Sequence, residues 1–190
     1  MAEVAIWSYG VAAAAYLFFA LYIFHAWRGA LPGGVLFGAV AISALWAAFS
    51  AFEARGAAPL VGFASVVLDI LRSAGWYAFL IVLSRPLWGR WSRWPALAAA
   101  LAVSAQIVAL GLEMGGLASA LPIQPAIVAW LAHAVVGLML VEQLYRGMPS
   151  VSRWGLKPLC LALAAGYILE LYLFADALLF SRIDLYVWAT

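Results

Sequence analysis

Six long apolar stretches, separated by short polar connections, constrain the fold of this chain more than any other feature. A helix that crosses a bilayer needs about 20 mostly apolar residues, and each stretch is close to that length. The stretches cover Val4–Trp27, Gly33–Phe52, Ala58–Leu83, Pro95–Leu112, Ile123–Leu144 and Leu159–Phe180. Helices satisfy their own backbone hydrogen bonds in lipid, and the stretches lack the alternation of barrel strands. The sequence therefore predicts an all-α, polytopic membrane bundle of about six transmembrane helices.

The composition leaves little room for a soluble fold. Hydrophobic residues make up 68% of the chain and charged residues 9%, whereas soluble domains are about 25% charged. The net charge of +2 is too small to indicate nucleic-acid binding, and one cysteine allows no internal disulfide. We interpret residues 1–190 as a single transmembrane domain, in which residues 183–190 are the truncated start of a further helix.

The distribution of Lys and Arg predicts the orientation of the chain. Loops that carry an excess of these residues stay in the cytoplasm. The opposite side carries only Arg55 and Arg182. Seven cations lie in the loops after the first, third and fifth stretches, namely Arg28, Arg85, Arg90, Arg93, Arg146, Arg153 and Lys157. We therefore predict an N-terminus outside the cell and a multi-pass arrangement in the membrane.

The connection after the third stretch alternates aromatic and cationic residues. Tryptophan prefers the headgroup level and arginine extends toward anionic lipid, so we interpret the connection as an interfacial anchor. A docking surface for a cytoplasmic partner is the alternative. The anchor residues are Arg85, Trp88, Arg90, Trp91, Arg93 and Trp94.

Four ionisable residues lie near the middle of the predicted spans. Ionisable groups at that depth are costly and are therefore candidate functional residues. Asp69, Arg72, His133 and Glu170 lie roughly 12–18 Å below the outer ends of their helices, at 1.5 Å per residue. Asp69 and Arg72 are three residues apart, so they share a helix face and can form an ion pair.

These residues allow two interpretations. Asp69 and Arg72 are either a structural pair that holds the bundle together or part of a polar pocket that His133 and Glu170 complete. His133 by itself is typical of a hydrogen-bonded packing residue. Glu170 has no partner within one turn of its own helix, so it must pair across helices or stay protonated. We therefore rank Glu170 first as a ligand- or proton-sensing residue.

The sequence contains no catalytic, nucleotide-binding or metal-binding motif that we can identify. His25 and His133 differ too much in depth to ligate one haem, so no cofactor is expected. Gly34 with Gly38, and Gly111 with Gly115, form GxxxG spacings. Such spacings predict close helix packing.

Several separated patches of this sequence resemble one protein family. They are Trp7–Gly10, Ala26–Gly29, Ser43–Ala47, Leu71–Trp76, Arg153–Lys157, Cys160–Leu161, Leu171–Phe180 and Arg182–Asp184. Together they resemble the N-terminal membrane region of the PrsK family, the sensor histidine kinases associated with PEP-CTERM/exosortase systems. The resemblance implies a bacterial inner-membrane location and a two-component signalling role. It also implies further helices, a cytoplasmic kinase domain and a homodimer formed through the full-length kinase.

Three functions stay open at this point. The first is a sensory input region that lacks the kinase domain and responds to membrane lipid or to a small ligand. The second is a structural or accessory subunit of a larger membrane complex. The third is a transporter or channel, but the two halves show no inverted repeat and no span is broken at its centre.

Overall fold

The computed structural model describes residues 2–26, 29, 31–85, 93–118, 124–148 and 150–180. This part of the chain forms helices joined by turns and contains no strand. Six helices account for it, namely α1 (Ala2–Ala26), α2 (Leu31–Glu53), α3 (Pro59–Ser84), α4 (Trp94–Met114), α5 (Pro125–Gly147) and α6 (Ser150–Phe180). Each is long and apolar enough to cross a membrane. The predicted all-α bundle of six membrane helices is confirmed.

The sixth helix begins earlier than the sequence predicts. The apolar stretch begins near Leu159, but α6 begins at Ser150 and continues through Pro158. Proline is tolerated in membrane helices because neighbouring groups satisfy the backbone that it frees. The first turn of α6, over residues 150–153, reads Ser-Val-Ser-Arg and is mostly polar. The predicted further helix over 183–190 lies outside the described residues.

The chain divides into two compact units. Unit 1 contains α1, α2 and α3 as far as Phe79. In this unit α1 packs against α2, and α2 approaches α3 closely at Gly75. A Cβ atom on Gly75 would lie 3.2 Å from the Cα atom of Ala39. A side chain at this position would require Ala39 to move by a few tenths of an ångström, so glycine favours this close approach of the two helices.

Unit 2 begins at Leu80. It contains the last residues of α3 and the whole of α4, α5 and α6. In this unit α5 packs against both α4 and α6. The buried faces of α4 and α5 are rich in small residues, namely Ala99, Ala102, Ala109, Ala129, Ala134 and Gly137. Small residues let membrane helices approach each other, so dispersion contacts can hold them together.

The glycines that form close contacts differ from those that the GxxxG spacing predicts. A Cβ atom on Gly38 or Gly111 would meet no atom within 4 Å among the described residues. A Cβ atom on Gly137, by contrast, would lie 2.5 Å from two ring carbons of Tyr167. The structure therefore shows no close helix contact at Gly38 or Gly111 among the described residues, and helix packing at these two positions stays a prediction. The close contacts between helices lie at Gly75 and Gly137 instead.

Candidate functional site

Asp69 and Arg72 form the predicted ion pair on α3. The Arg72 Nε donates a hydrogen bond of 2.8 Å to Asp69 Oδ1, and a second guanidinium nitrogen lies 2.7 Å from the same oxygen. Both side chains are partly buried, at 17% and 19% exposure. Two short charge-assisted contacts offset much of the penalty for placing either charge in an apolar surrounding.

Arg72 also contacts an aromatic residue of α2. Its guanidinium carbon lies 4.3 Å from the centre of the Trp46 ring, within the range of a cation–π interaction. Tyr9 of α1 packs edge-on against the same Trp46 ring, with 5.7 Å between the two ring centres. The ion pair of α3 is therefore linked through Trp46 to both other helices of unit 1.

Buried hydroxyl groups fix α2 and α3 beside this pair. The Trp76 Nε1 donates a hydrogen bond of 3.1 Å to the Ser43 hydroxyl. Ser43 in turn donates to the carbonyl oxygen of Ala39, and Ser73 donates to that of Asp69. Hydrogen bonds of this kind satisfy polar groups that would otherwise be costly in an apolar bundle. They hold the register in which Trp46 meets Arg72.

His133 and Glu170 meet across two helices of unit 2. The His133 Nε2 on α5 lies 3.5 Å from the Glu170 Oε2 on α6. His133 is buried, whereas the Glu170 side chain is 24% exposed. The sequence predicts that Glu170 either pairs across helices or stays protonated, and this contact joins it to a side chain of another helix. At this distance the imidazole and the carboxyl group interact electrostatically, so a change in the charge of either one alters the contact between the two helices.

Aromatic rings pack around His133, the buried member of the pair. Three contacts define the enclosure: Trp130 stacks on Phe174 at 6.0 Å, Trp130 meets His133 edge-on at 5.7 Å, and Tyr167 meets His133 at 5.5 Å. Tyr167 reaches His133 because its ring lies over Gly137. The rings shield His133 from competing polar groups, whereas the Glu170 side chain stays 24% exposed.

The two antiparallel helices bring these residues together in register. Trp130, His133 and Gly137 follow an i, i+3, i+7 pattern on α5, and Tyr167, Glu170 and Phe174 follow an i, i+3, i+7 pattern on α6. Each pattern places its three residues on one helix face. Sequence reasoning named only the two ionisable members and missed the aromatic ones. Apolar spacing of this kind occurs in every packed membrane helix, so it gave no separate signal.

The four predicted site residues therefore form two pairs. Asp69 and Arg72 lie in unit 1, and His133 and Glu170 lie in unit 2. A single pocket that combines all four stays a prediction. The pairs differ in kind, because the first is confined to one helix and the second joins two helices.

Gln106 is a further buried polar residue of unit 2. It lies on α4 and is 3% exposed. Neither its amide nitrogen nor its amide oxygen has a hydrogen-bond partner among the described residues. A buried amide without hydrogen bonds destabilises a fold by about 1–3 kcal/mol. We expect this position to be one at which an apolar residue improves stability.

The structure describes three of the six predicted anchor residues. Arg85, Arg93 and Trp94 are exposed, with Trp94 at 75% exposure. An exposed tryptophan at the end of a membrane helix is typical of the headgroup region. The other three, Trp88, Arg90 and Trp91, lie outside the described residues. The assignment of an anchor stays a prediction.

Six apolar helices and their buried small residues define the chain as a multi-pass helical membrane protein. No group of three or more His, Cys, Asp or Glu side chains within the described ranges could hold a metal ion. The chain matches no protein-family model, no curated protein and no solved structure.

Proposed function

We propose that this chain is the membrane-embedded sensory input region of a two-component sensor histidine kinase in a bacterial inner membrane. The resemblance of its separated patches to the PrsK family supports this proposal. The observation that carries it is the contact between His133 and Glu170. At this contact, two ionisable groups join two membrane helices. A sensor needs such a contact to convert a chemical stimulus into movement of one helix against another.

A stimulus acts on such a bundle only if it favours one of two helix arrangements over the other. Protonation of the His133–Glu170 pair, or contact of a ligand with it, changes the attraction between α5 and α6. Glu170 is the accessible member of the pair, because its side chain is 24% exposed whereas that of His133 is 2% exposed. In this proposal Glu170 receives the stimulus and His133 transmits it to α5.

The Arg72–Asp69 pair has a different part in the proposal. Because both groups lie on α3, a change in their charge does not act directly on the distance between two helices. The cation–π contact with Trp46 connects the pair to α2. We assign it to the stability of unit 1, with a secondary effect on signalling.

The proposal places the natural protein in a homodimer formed through its kinase domain, surrounded by membrane lipid. The first test is the intact mass of the natural protein, recovered from source-cell membranes with an antibody to this region. A mass far above 20.4 kDa, with histidine phosphorylation on addition of ATP, is expected. A mass near 20.4 kDa, no phosphorylation and a fixed set of co-purified proteins would refute the proposal and indicate an accessory subunit.

A pair of matched variants tests the role of the site. Glu170→Gln removes the ionisable group at the helix contact, and Glu113→Gln makes the same change at the exposed end of α4. We expect the first variant to change histidine phosphorylation of the natural protein at equal membrane levels and the second to leave it unchanged. Equal phosphorylation in both variants would remove Glu170 from the signalling path.

A further inference from the structure

A groove runs between the second half of α5 and the first half of α6. Its volume is about 480 Å³, within the range of about 300–1,000 Å³ that is typical of ligand sites. The lining residues follow an i, i+3, i+4, i+7 pattern on each helix, from Leu138 to Tyr145 and from Lys157 to Ala164. The groove therefore lies wholly within unit 2 and follows one continuous helix interface.

The walls of the groove are apolar, and its charged groups lie at one end. Glu142 is neutralised by Arg146, whose guanidinium lies 2.8 Å from it. Lys157 forms no ion pair with a carboxylate among the described residues, and its ammonium lies 5.2 Å from the Trp154 ring. An exposed cation at the mouth of an apolar groove leaves an excess of positive charge there.

We propose that this groove binds an anionic glycerophospholipid, with the headgroup phosphate at Lys157 and an acyl chain along the apolar wall. The inference does not depend on the proposed kinase function. The groove holds one molecule of the surrounding lipid, and the positive charge of Lys157 selects a lipid with an anionic headgroup.

The position of the charged end fits this occupant. Lys157 lies one turn after Trp154, near the start of α6 at Ser150, and Trp154 is 78% exposed. Exposed tryptophan and lysine at the end of a span are typical of the headgroup level. Lys157 and Ala164 are seven residues apart, so the apolar wall extends about 10 Å into the bilayer. The distribution of Lys and Arg predicts that this end faces the cytoplasm, where anionic lipid is concentrated.

The first test compares two lipids with identical acyl chains, phosphatidylglycerol and phosphatidylcholine. The full chain in mild detergent is incubated with each lipid, and native mass spectrometry counts the molecules that stay bound. We expect about a fivefold preference for phosphatidylglycerol, the contribution of one lysine near an anionic headgroup. Lys157→Gln should abolish the preference. Arg55→Gln, which removes one positive charge from an exposed position in unit 1, should keep it.

A second pair of variants tests the apolar wall. Ala164 lines the groove, so Ala164→Trp should fill it and remove the bound lipid. Ala165 is exposed and does not line the groove. Ala165→Trp therefore adds the same side chain to the next position and should leave lipid binding unchanged.

Cys160 provides a readout at the site itself. It is the single cysteine of the chain, it is buried, and it lines the groove. We expect its reaction with N-ethylmaleimide to be slower in phosphatidylglycerol vesicles than in phosphatidylcholine vesicles, and this difference to be lost in Lys157→Gln. Equal reaction rates in both lipids, with no effect of Lys157→Gln on lipid retention, would overturn the proposal. Cross-linking of Cys160 to a protein segment in the native membrane would also overturn it, because a helix would then occupy the groove.

Discussion

The contact between Gly137 and the Tyr167 ring allows the sharpest test of the α5–α6 packing. An ideal Cβ atom on Gly137 would lie 2.5, 2.5 and 2.6 Å from three ring carbons of Tyr167. Carbon atoms pack favourably at about 3.5–4.0 Å, so the ring must move by about 1 Å. Tyr167 is 6% exposed, which leaves little space for that movement. Overpacking of this kind destabilises a fold by about 1–3 kcal/mol.

Gly137→Ala also changes helix propensity, and this effect opposes the clash. Alanine is favoured over glycine in a helix by about 1 kcal/mol. Gly166→Ala is the matched control, because Gly166 lies on α6 and an added Cβ atom meets no described atom within 4 Å. The propensity gain is common to both variants, so the stability difference between them measures the clash. We expect Gly137→Ala to be less stable than Gly166→Ala by about 1–3 kcal/mol.

The assay is thermal unfolding of the full chain in one detergent, followed by the loss of monodisperse protein. For a chain of this size, 1 kcal/mol corresponds to about 2–4 °C in Tm. A Tyr167→Ala background removes the ring and should abolish the difference between the two alanine variants. The reasoning would be refuted if Gly137→Ala unfolded at the same temperature as Gly166→Ala, or at a higher one.

Three further substitutions test other parts of the structure by the same unfolding assay. Arg72→Gln should destabilise unit 1 by about 3 kcal/mol or more, because it leaves the Asp69 carboxylate unpaired. Adding Asp69→Asn to this variant should restore most of the lost stability. If the double variant recovers no stability, the ion pair is contradicted. Gln106→Leu should raise stability by about 1–3 kcal/mol, since it removes a buried amide; a lower Tm would show that the amide has a partner. Gly75→Ala should be less stable than the Gly166→Ala control by about 1 kcal/mol, because both variants gain helix propensity but only the Cβ atom at position 75 meets the backbone of Ala39; a Tm equal to that of the control would contradict that close approach.

The six spans could be predicted from the sequence because apolar length alone identifies them. The start of α6 could not. The sequence predicts a loop at Arg153 and Lys157 and a span that begins at Leu159, because charged residues do not extend an apolar stretch. Polar turns at the end of a membrane helix need no apolar residues, since they lie at the headgroup level. Hydropathy therefore locates the part of a helix that lies in lipid but not the turns beyond it.

Only the part of the candidate site that lies within one helix could be predicted from the sequence. Asp69 and Arg72 are three residues apart, so helix geometry alone brings them together. The contact between His133 and Glu170 depends on the register of α5 against α6, which hydropathy does not determine. The same limit applies to glycine, since the GxxxG spacing does not tell which face of a helix meets a neighbour. Gly137 is identified only once Tyr167 is placed opposite it.

The central claim is that His133 and Glu170 interact across α5 and α6, and a double-mutant cycle tests it most directly. His133→Gln, Glu170→Gln and the double variant are unfolded in the same detergent at the same pH. A direct contact predicts a coupling free energy of about 0.5–3 kcal/mol, with the double variant more stable than the sum of the single effects implies. Single effects that add to within about 0.3 kcal/mol would contradict the contact, and with it the proposed path from a stimulus at Glu170 to α5.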